Sequence, residues 1–201
     1  MAPDELDGVR RYYDPTFRAT AVKILPGECY VTADPREMLV TVLGSCVAAC
    51  LFDPVAGVGG MNHFMLPSSV DGFWGETAAA MRYGNFAMER LIGDVLAAGA
   101  RRERLQAKVF GGAAFASSHS VGPQNAAFVE RYLGEAGLPT AAHLLRPPHP
   151  LRVHFVPASG RAFVLPIDDI EMVDRVETPY REAIVRDPPA GLAVPLQGTP
   201  R

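Results

Sequence analysis

The chain has 201 residues, and its 19 Lys and Arg against 22 Asp and Glu give a formal net charge of −3. Hydrophobic residues make up 48% and charged residues 20%, as expected for one globular domain with a sizeable core. This balance gives no basic patch for nucleic acid, and the apolar runs are shorter than the roughly 20 residues of a membrane-spanning helix. The composition therefore predicts neither nucleic-acid binding nor membrane insertion.

The cysteine count and the first residues indicate the compartment. Three cysteines, an odd number, form no disulfide framework. Residues 1–11 contain three acidic side chains and no apolar segment of the signal-peptide kind. We therefore expect a cytoplasmic protein whose thiols stay reduced.

The first part of the chain is predicted to be rich in strands. Residues 1–16 are polar and predict a flexible N-terminal arm, followed by a single domain over 17–186. Short apolar runs separated by Pro, Gly and Asp-Pro turn signals predict successive strands. These strands cover residues 19–25, 29–32, 39–43, 47–52 and 58–66.

The second part mixes helices and strands. Apolar residues at helical spacing predict helices over 76–98, 126–136 and 168–178, the last ending at Pro179. Alternating or apolar runs predict strands over 105–110, 140–145, 152–156 and 161–165. Residues 187–201 contain four prolines and predict a disordered C-terminal tail.

The stretch 39–67 contains a candidate nucleophile. Cys46 follows the turn residues Gly44 and Ser45, and His63 lies 63 − 46 = 17 residues further on. Neighbouring strands lie about 5 Å apart, so residues at this separation can face each other across a hairpin. The spacing therefore allows a thiol and an imidazole to meet.

A thiol beside an imidazole is a potentially reactive pair. A free thiol with its pKa of about 8.5 is mostly protonated at neutral pH, and an imidazole can accept the proton to leave a thiolate. Strand alternation places His63 on one face with Met61 and Met65, a sheltered setting for a base, and Asn62 on the other face. Backbone N–H groups in the turn that includes Gly44 can serve as an oxyanion hole.

The same residues also allow a purely structural interpretation. A buried Cys46 can be inert, and His63 can be a hydrogen-bonded core residue. Cys50 lies four residues after Cys46 on the same strand face and is interpreted as core, and Cys29 is interpreted as structural. No second Cys/His cluster accompanies them in the sequence, so they predict no metal site.

Two blocks in this stretch carry a resemblance to a known family. They read LGSCV at residues 43–47 and GGMNHFMLP at residues 59–67. In this order they resemble the signature of the chemoreceptor glutamine deamidases, the CheD family of bacterial chemotaxis. Shorter matches extend the resemblance over roughly residues 12–166, at 30–32, 82–85, 108–113, 121–125, 153–155 and 159–160.

The resemblance implies a cysteine hydrolase that acts on a protein glutamine side chain. Cys46 would be the nucleophile, His63 the general base and later the acid, and Thr41 the candidate for the third catalytic residue. Thr41 is equally consistent with a β-branched residue that only stabilises its strand. Ser45 and Gly44 would contribute to the oxyanion and substrate-binding group. The resemblance implies no metal and no organic cofactor.

The resemblance also implies a fold and partners. The fold would be α+β, a β-sandwich of mixed strands flanked by helices and similar to the toxin-type glutamine deamidases. The substrates would be glutamines in the cytoplasmic helical region of methyl-accepting chemotaxis receptors. A phosphatase of the CheC type is a known kind of partner for members of the family.

One loop departs from the family pattern and keeps other functions open. Residues 146–150 read RPPHP where relatives carry a paired glycine. This departure gives weight to a non-catalytic module that regulates a chemotaxis phosphatase. A different cysteine hydrolase, such as a peptidase, thioesterase or receptor methylesterase, would need the same Cys46 and His63. The intact blocks around these two residues favour the deamidase.

Overall fold

The computed structural model describes residues 10–66, 78–114 and 121–186. The predicted α+β class is confirmed, because these residues form two five-stranded sheets of mixed direction and three α-helices. None of the helices in the described ranges combines the length and hydropathy that a bilayer crossing needs. The predicted tail over 187–201 lies outside the described residues, as do residues 1–9 of the predicted arm.

The first sheet has the spatial order β1-β2-β4-β9-β10, with β2 and β4 parallel and the other neighbours antiparallel. Its strands are β1 (Arg11–Asp14), β2 (Ala19–Lys23), β4 (Glu37–Leu43), β9 (Leu151–Val156) and β10 (Arg161–Pro166).

The second sheet has the order β3-β6-β5-β7-β8, with only β7 and β8 parallel. Its strands are β3 (Cys29–Thr32), β5 (Val47–Asp53), β6 (Val58–Phe64), β7 (Gln106–Gly111) and β8 (Thr140–Leu145). The helices are α1 (Ala78–Ala97), α2 (Val121–Glu135) and α3 (Ile170–Arg186), and a single 3₁₀ turn covers Arg102–Arg104.

The two sheets pack face to face, and the second sheet is covered on its other face by α1 and α2. Strand alternation divides the side chains of β5 between these layers. Ala48 and Cys50 face the first sheet, whereas Val47 and Leu51 face the helices. Every residue of β5 is buried, so this strand forms the centre of the molecule.

Three expectations need correction. Residues 11–14, within the predicted arm, form β1 because they pair antiparallel with β2. Helix α2 begins at Val121 and not at residue 126, so Asn125 lies inside the helix and not ahead of it. Helix α3 continues through Pro179, which is exposed, because buried residues on both sides of the proline hold one face of the helix against the sheets.

Candidate active site

Strands β5 and β6 bring Cys46 and His63 together. Ala48 pairs with His63 across the two strands, and Cys46 lies two residues before Ala48 on the same face. The Cys46 Sγ, a His63 ring nitrogen and a carboxylate oxygen of Glu177 all lie within 4.8 Å of one another. Cys46 is 0% exposed, His63 1% and Glu177 3%. The hairpin geometry expected from the spacing is therefore present.

Thr41 fixes the orientation of the His63 ring from the opposite sheet. The Thr41 hydroxyl donates to the Ile24 carbonyl at 2.7 Å and lies 2.8 Å from His63 Nδ1. Because the hydroxyl proton is already used, Nδ1 must carry a proton and donate it to Thr41. This tautomer leaves the lone pair of Nε2 free, and among the described residues this buried nitrogen has no hydrogen-bond partner.

The turn before β5 forms a cradle of three backbone N–H groups, those of Gly44, Ser45 and Cys46. The Gly44 and Cys46 N–H groups donate to Glu177 Oε1 at 2.7 and 3.0 Å. The Ser45 N–H and hydroxyl donate to Glu177 Oε2 at 2.9 and 2.7 Å. This N–H cradle binds an anion, which is the property that an oxyanion hole requires.

The carbonyl side of the same turn is held by β7 and α2. Gly112 N–H donates to the Cys46 carbonyl at 2.8 Å, and Ala113 N–H donates to the Gly44 carbonyl at 2.9 Å. Gly111 has a φ of 103°, and a Cβ there would lie 2.3 Å from the Cys46 carbonyl oxygen. The paired glycines thus allow the close approach that fixes the direction of the cradle.

Asn125 ties this turn to the end of β6. Its Nδ2 donates to the Ser45 carbonyl at 2.8 Å, and its Oδ1 accepts from the Leu66 N–H at 2.8 Å. Both contacts are buried, so the amide holds the Cys46 turn and the His63 strand at a fixed separation. Sequence reasoning missed this role, because the predicted helix began at residue 126 and left Asn125 outside it.

Asn62 and Cys50 are close neighbours of His63 and Cys46 along the chain, but they lie outside the arrangement of thiol, imidazole and N–H groups. Asn62 accepts from the Ala49 N–H and donates to the Ala87 carbonyl, both at 3.0 Å, on the helix side of the sheet. Cys50 is buried in the core between the sheets, and burial raises the pKa of its thiol. Both side chains therefore have structural roles, and Cys50 lies in the core as the sequence indicated.

Glu177 is the residue of the site that sequence reasoning did not find. It comes from α3, 177 − 46 = 131 residues after Cys46, and no local motif marks it. A signal was nevertheless present in the helix pattern. Glu177 occupies a position between Val173 and Ile184 on the buried face of α3, where an apolar residue is expected.

The charges of the site hold the pair in a neutral form. Burial raises the pKa of the Cys46 thiol well above its usual value, the Glu177 charge raises it further, and Arg181 opposes them. Burial lowers the pKa of His63, and the Glu177 charge partly opposes that effect. With Glu177 in place, the site therefore contains a thiol and a neutral imidazole rather than a thiolate and an imidazolium.

Cys46, His63 and Glu177 are also residue types that bind zinc. Both carboxylate oxygens of Glu177, however, already accept hydrogen bonds from N–H or O–H groups. Donors that converge in this way make an anion site. The arrangement therefore fits acyl chemistry at a thiol more closely than cation binding.

The family model and the curated relatives agree on one family. The family model for CheD chemotactic sensory transduction matches residues 65–165. A Rhodopseudomonas palustris protein named probable chemoreceptor glutamine deamidase CheD is 53% identical over 193 residues, covering 94% of this chain and 91% of that protein. A Caulobacter vibrioides protein of the same name is 52% identical over 151 residues, covering 75% and 80%.

Among solved structures, similarity is partial. A Neisseria meningitidis protein of the DUF152 family matches 59% of this chain and 53% of its own, at 8% identity and a TM-score of 0.38. The sequence matches are far more extensive. On their coverage and identity, this chain belongs to the CheD family.

Proposed function

We propose that the protein is a chemoreceptor glutamine deamidase that uses Cys46 as its nucleophile. One observation carries the assignment of roles: a thiol, an imidazole with a free Nε2 and a cradle of three N–H groups converge at the start of β5. These are the groups that acyl transfer through a thioester needs. The names of the relatives supply the substrate class, a glutamine of a chemoreceptor.

The reaction begins with transfer of the Cys46 proton to His63 Nε2. The thiolate then attacks the side-chain amide carbon of the glutamine, and the resulting oxyanion is bound by the N–H groups of Gly44, Ser45 and Cys46. His63 returns the proton to the departing ammonia, which leaves a thioester on Cys46. Water activated by His63 then hydrolyses the thioester to glutamate and restores the thiol.

Thr41 is a positioning residue in this mechanism. Its hydroxyl keeps the Nδ1 proton of His63 on the side away from Cys46, which directs the basic Nε2 to the reacting atoms. The same orienting role is performed by a carboxylate in other hydrolases. A neutral hydroxyl leaves the imidazole less basic, which suits a thiol because a thiol loses its proton more readily than a serine hydroxyl.

The expected setting is the cytoplasm, where thiols remain reduced and the helical region of methyl-accepting chemotaxis receptors is exposed. Conversion of glutamine to glutamate there would create the carboxylates that are later methylated. A phosphatase of the CheC type is a further partner that family membership supports.

The first test is deamidation of a receptor cytoplasmic fragment, followed by peptide mass spectrometry. Each converted glutamine gains about one dalton as ammonia is released, because an amide becomes an acid. We expect conversion by the wild-type protein and none by Cys46→Ala. Cys50→Ala is the matched control, since it removes a buried thiol from the same strand face outside the N–H cradle.

The outcome separates the deamidase from its alternatives. Methanol release from a methylated fragment without a mass gain on glutamines would indicate a methylesterase that uses the same thiol. A folded wild-type protein that modifies no receptor fragment from the same organism would contradict the proposal. Retained conversion in Cys46→Ala would remove Cys46 from the mechanism.

A further inference from the structure

Helix α3 closes the site that the proposed reaction uses. Cys46 is 0% exposed and His63 1%, so no side chain of another protein reaches them in this arrangement. The side chain that does reach them belongs to the chain itself, since Glu177 of α3 fills the N–H cradle. A deamidase of protein glutamines must open before it binds its substrate.

The group inside the cradle has the chemistry of the reaction product. Glutamine deamidation yields a glutamate side chain, and Glu177 is a glutamate side chain presented by a helix. Its carboxylate accepts four hydrogen bonds between 2.7 and 3.0 Å, three of them from the N–H groups of the cradle. The Cys46 Sγ and a His63 ring nitrogen lie within 4.8 Å of an oxygen of the same carboxylate.

Helix α3 is attached in a way that allows it to leave. The buried side chains that the structure describes on this helix form one stripe, Val173, Glu177 and Ile184, with Tyr180 half-buried on the same side. No strand pairing passes through the helix, so its departure breaks no sheet hydrogen bonds. A cavity of about 50 Å³ beside His63, lined in part by Met172 and Val176, leaves the contact between helix and sheets incompletely filled.

Tyr180 provides a second anchor next to Glu177. Its hydroxyl hydrogen-bonds to the hydroxyl of Tyr83 on α1. Its ring lies against Gly27, where an added Cβ would lie 2.8 Å from a ring carbon. Tyr180 packs against the core cluster that contains Cys46, but within the described residues its hydrogen bond goes to Tyr83 and not to the N–H cradle. It can therefore be changed without removing a group that the proposed chemistry uses.

The electrostatics agree with an occupied, inactive state. Among the described residues, Glu177 has no ion pair with a Lys, Arg or His side chain. Its negative charge contributes to the raised pKa of the Cys46 thiol. Departure of the carboxylate therefore both empties the cradle and favours the thiolate.

We infer that helix α3 is an intramolecular occupant of the substrate site, with Glu177 in the position of a product glutamate, and that substrates bind only when this helix is displaced. This inference rests on the proposed deamidase function. It extends that function by assigning α3 as a competitive inhibitor built into the chain.

A glutamine at position 177 should then become a substrate of its own chain. In Glu177→Gln, the Cys46 thiolate forms a bond to the side-chain amide carbon, and the carbon–nitrogen bond breaks as ammonia leaves with a proton from His63. Water hydrolyses the thioester, so that glutamine and water yield glutamate and ammonia. The product is the wild-type chain.

The experiment follows the peptide containing residue 177 in purified Glu177→Gln by mass spectrometry over time. We expect a gain of about one dalton at position 177, and none in the double variant Glu177→Gln with Cys46→Ala. Glu182→Gln is the matched control, because it makes the same change on the exposed face of the same helix and should stay unconverted.

A second measurement uses Tyr180→Ala, with Tyr180→Phe to separate loss of the ring from loss of the hydroxyl. We expect Tyr180→Ala to raise both receptor deamidation and iodoacetamide alkylation of Cys46 by about tenfold or more, because open states of such equilibria are usually populated at about 10% or less. Tyr180→Phe should show a smaller increase, because the ring still packs against Gly27.

The outcomes distinguish this inference from the function on which it rests. If wild type converts receptor glutamines, yet the glutamine of Glu177→Gln stays unconverted and Tyr180→Ala gives no acceleration, α3 is a structural element and the inference is overturned while the function stands. If neither receptor glutamines nor the glutamine of Glu177→Gln are converted, both are overturned. Conversion at position 177 that depends on Cys46 supports the inference, whichever receptor is offered.

Discussion

Two buried carboxylates lie at opposite ends of strand β5, and they differ in how their charge is balanced. Asp53, at the end of the strand, accepts the N–H groups of Val55, Ala56 and Arg101. It also binds the Arg104 guanidinium, with a shortest distance of 2.7 Å. Glu177, at the start of the strand, likewise accepts three N–H groups, but within the described residues it has no cationic partner.

The difference separates a structural carboxylate from a removable one. Asp53 belongs to the strand that it ends, and its charge is neutralised, so every contact stabilises the closed turn. Glu177 comes from a helix held by one stripe, and its charge lies beside a thiol whose pKa it raises. Burying a charge without a paired cation is unfavourable. Moving the Glu177 carboxylate into water therefore costs less free energy than moving that of Asp53.

The largest expected effect is on stability, at Asp53. Asp53→Asn leaves Arg104 without its partner and should lower the free energy of unfolding by about 3 kcal/mol, measured by urea denaturation at pH 7. Glu177→Ala should lower it by less, because helix α3 can then move away and water can reach the three N–H groups that the carboxylate leaves. A loss at Glu177 equal to that at Asp53 would contradict the distinction between them.

The pH dependence of the stability difference between wild type and Asp53→Asn checks that this difference is electrostatic. Hydrogen bonds from Arg104 hold the pKa of Asp53 well below its usual range in the folded protein. The carboxylate therefore stabilises the fold above its unfolded pKa of about 3.9, and that stability is lost as the pH falls toward the folded pKa. The gap between wild type and Asp53→Asn should accordingly shrink below about pH 4.

The next prediction concerns the hydroxyl of Thr41, which contacts His63 in the site that Glu177 occupies. Thr41→Val removes the group that orients His63 and should lower kcat on a receptor fragment by about 100-fold, with KM little changed. Thr41→Ser retains the hydroxyl and should recover most of the activity. Equal losses in both variants would indicate that the methyl packing of Thr41, and not its hydroxyl, supports the site.

The smallest expected effect is on the ionisation of Cys46. Because the Glu177 charge raises the pKa of the thiol, Glu177→Ala should move the pH profile of Cys46 alkylation toward lower pH. Arg181 acts in the opposite direction, so Arg181→Gln should move the profile toward higher pH. The alkylated residue is identified by peptide mapping, since Cys29 and Cys50 also carry thiols. An unchanged profile in both variants would contradict the electrostatic account.

Much of the site was predictable because it is local in sequence. The turn before Cys46 and the hairpin to His63 follow from strand alternation and turn residues, which depend on neighbours along the chain. The family resemblance added the roles that we propose for these residues and for Thr41. Pro179 misled the prediction of α3, because a local helix breaker was outweighed by packing of the helix face against the sheets.

The sequence alone therefore determined the α+β class, the strands that position Cys46 and His63, and the family. Only the tertiary structure decided which group fills the N–H cradle. Thr41 reaches His63 from the other sheet, and Glu177 reaches the cradle from a helix 131 residues beyond Cys46. Such contacts depend on how sheets and helices pack across the core. The periodicity of residues along the chain does not show which of these distant elements meet.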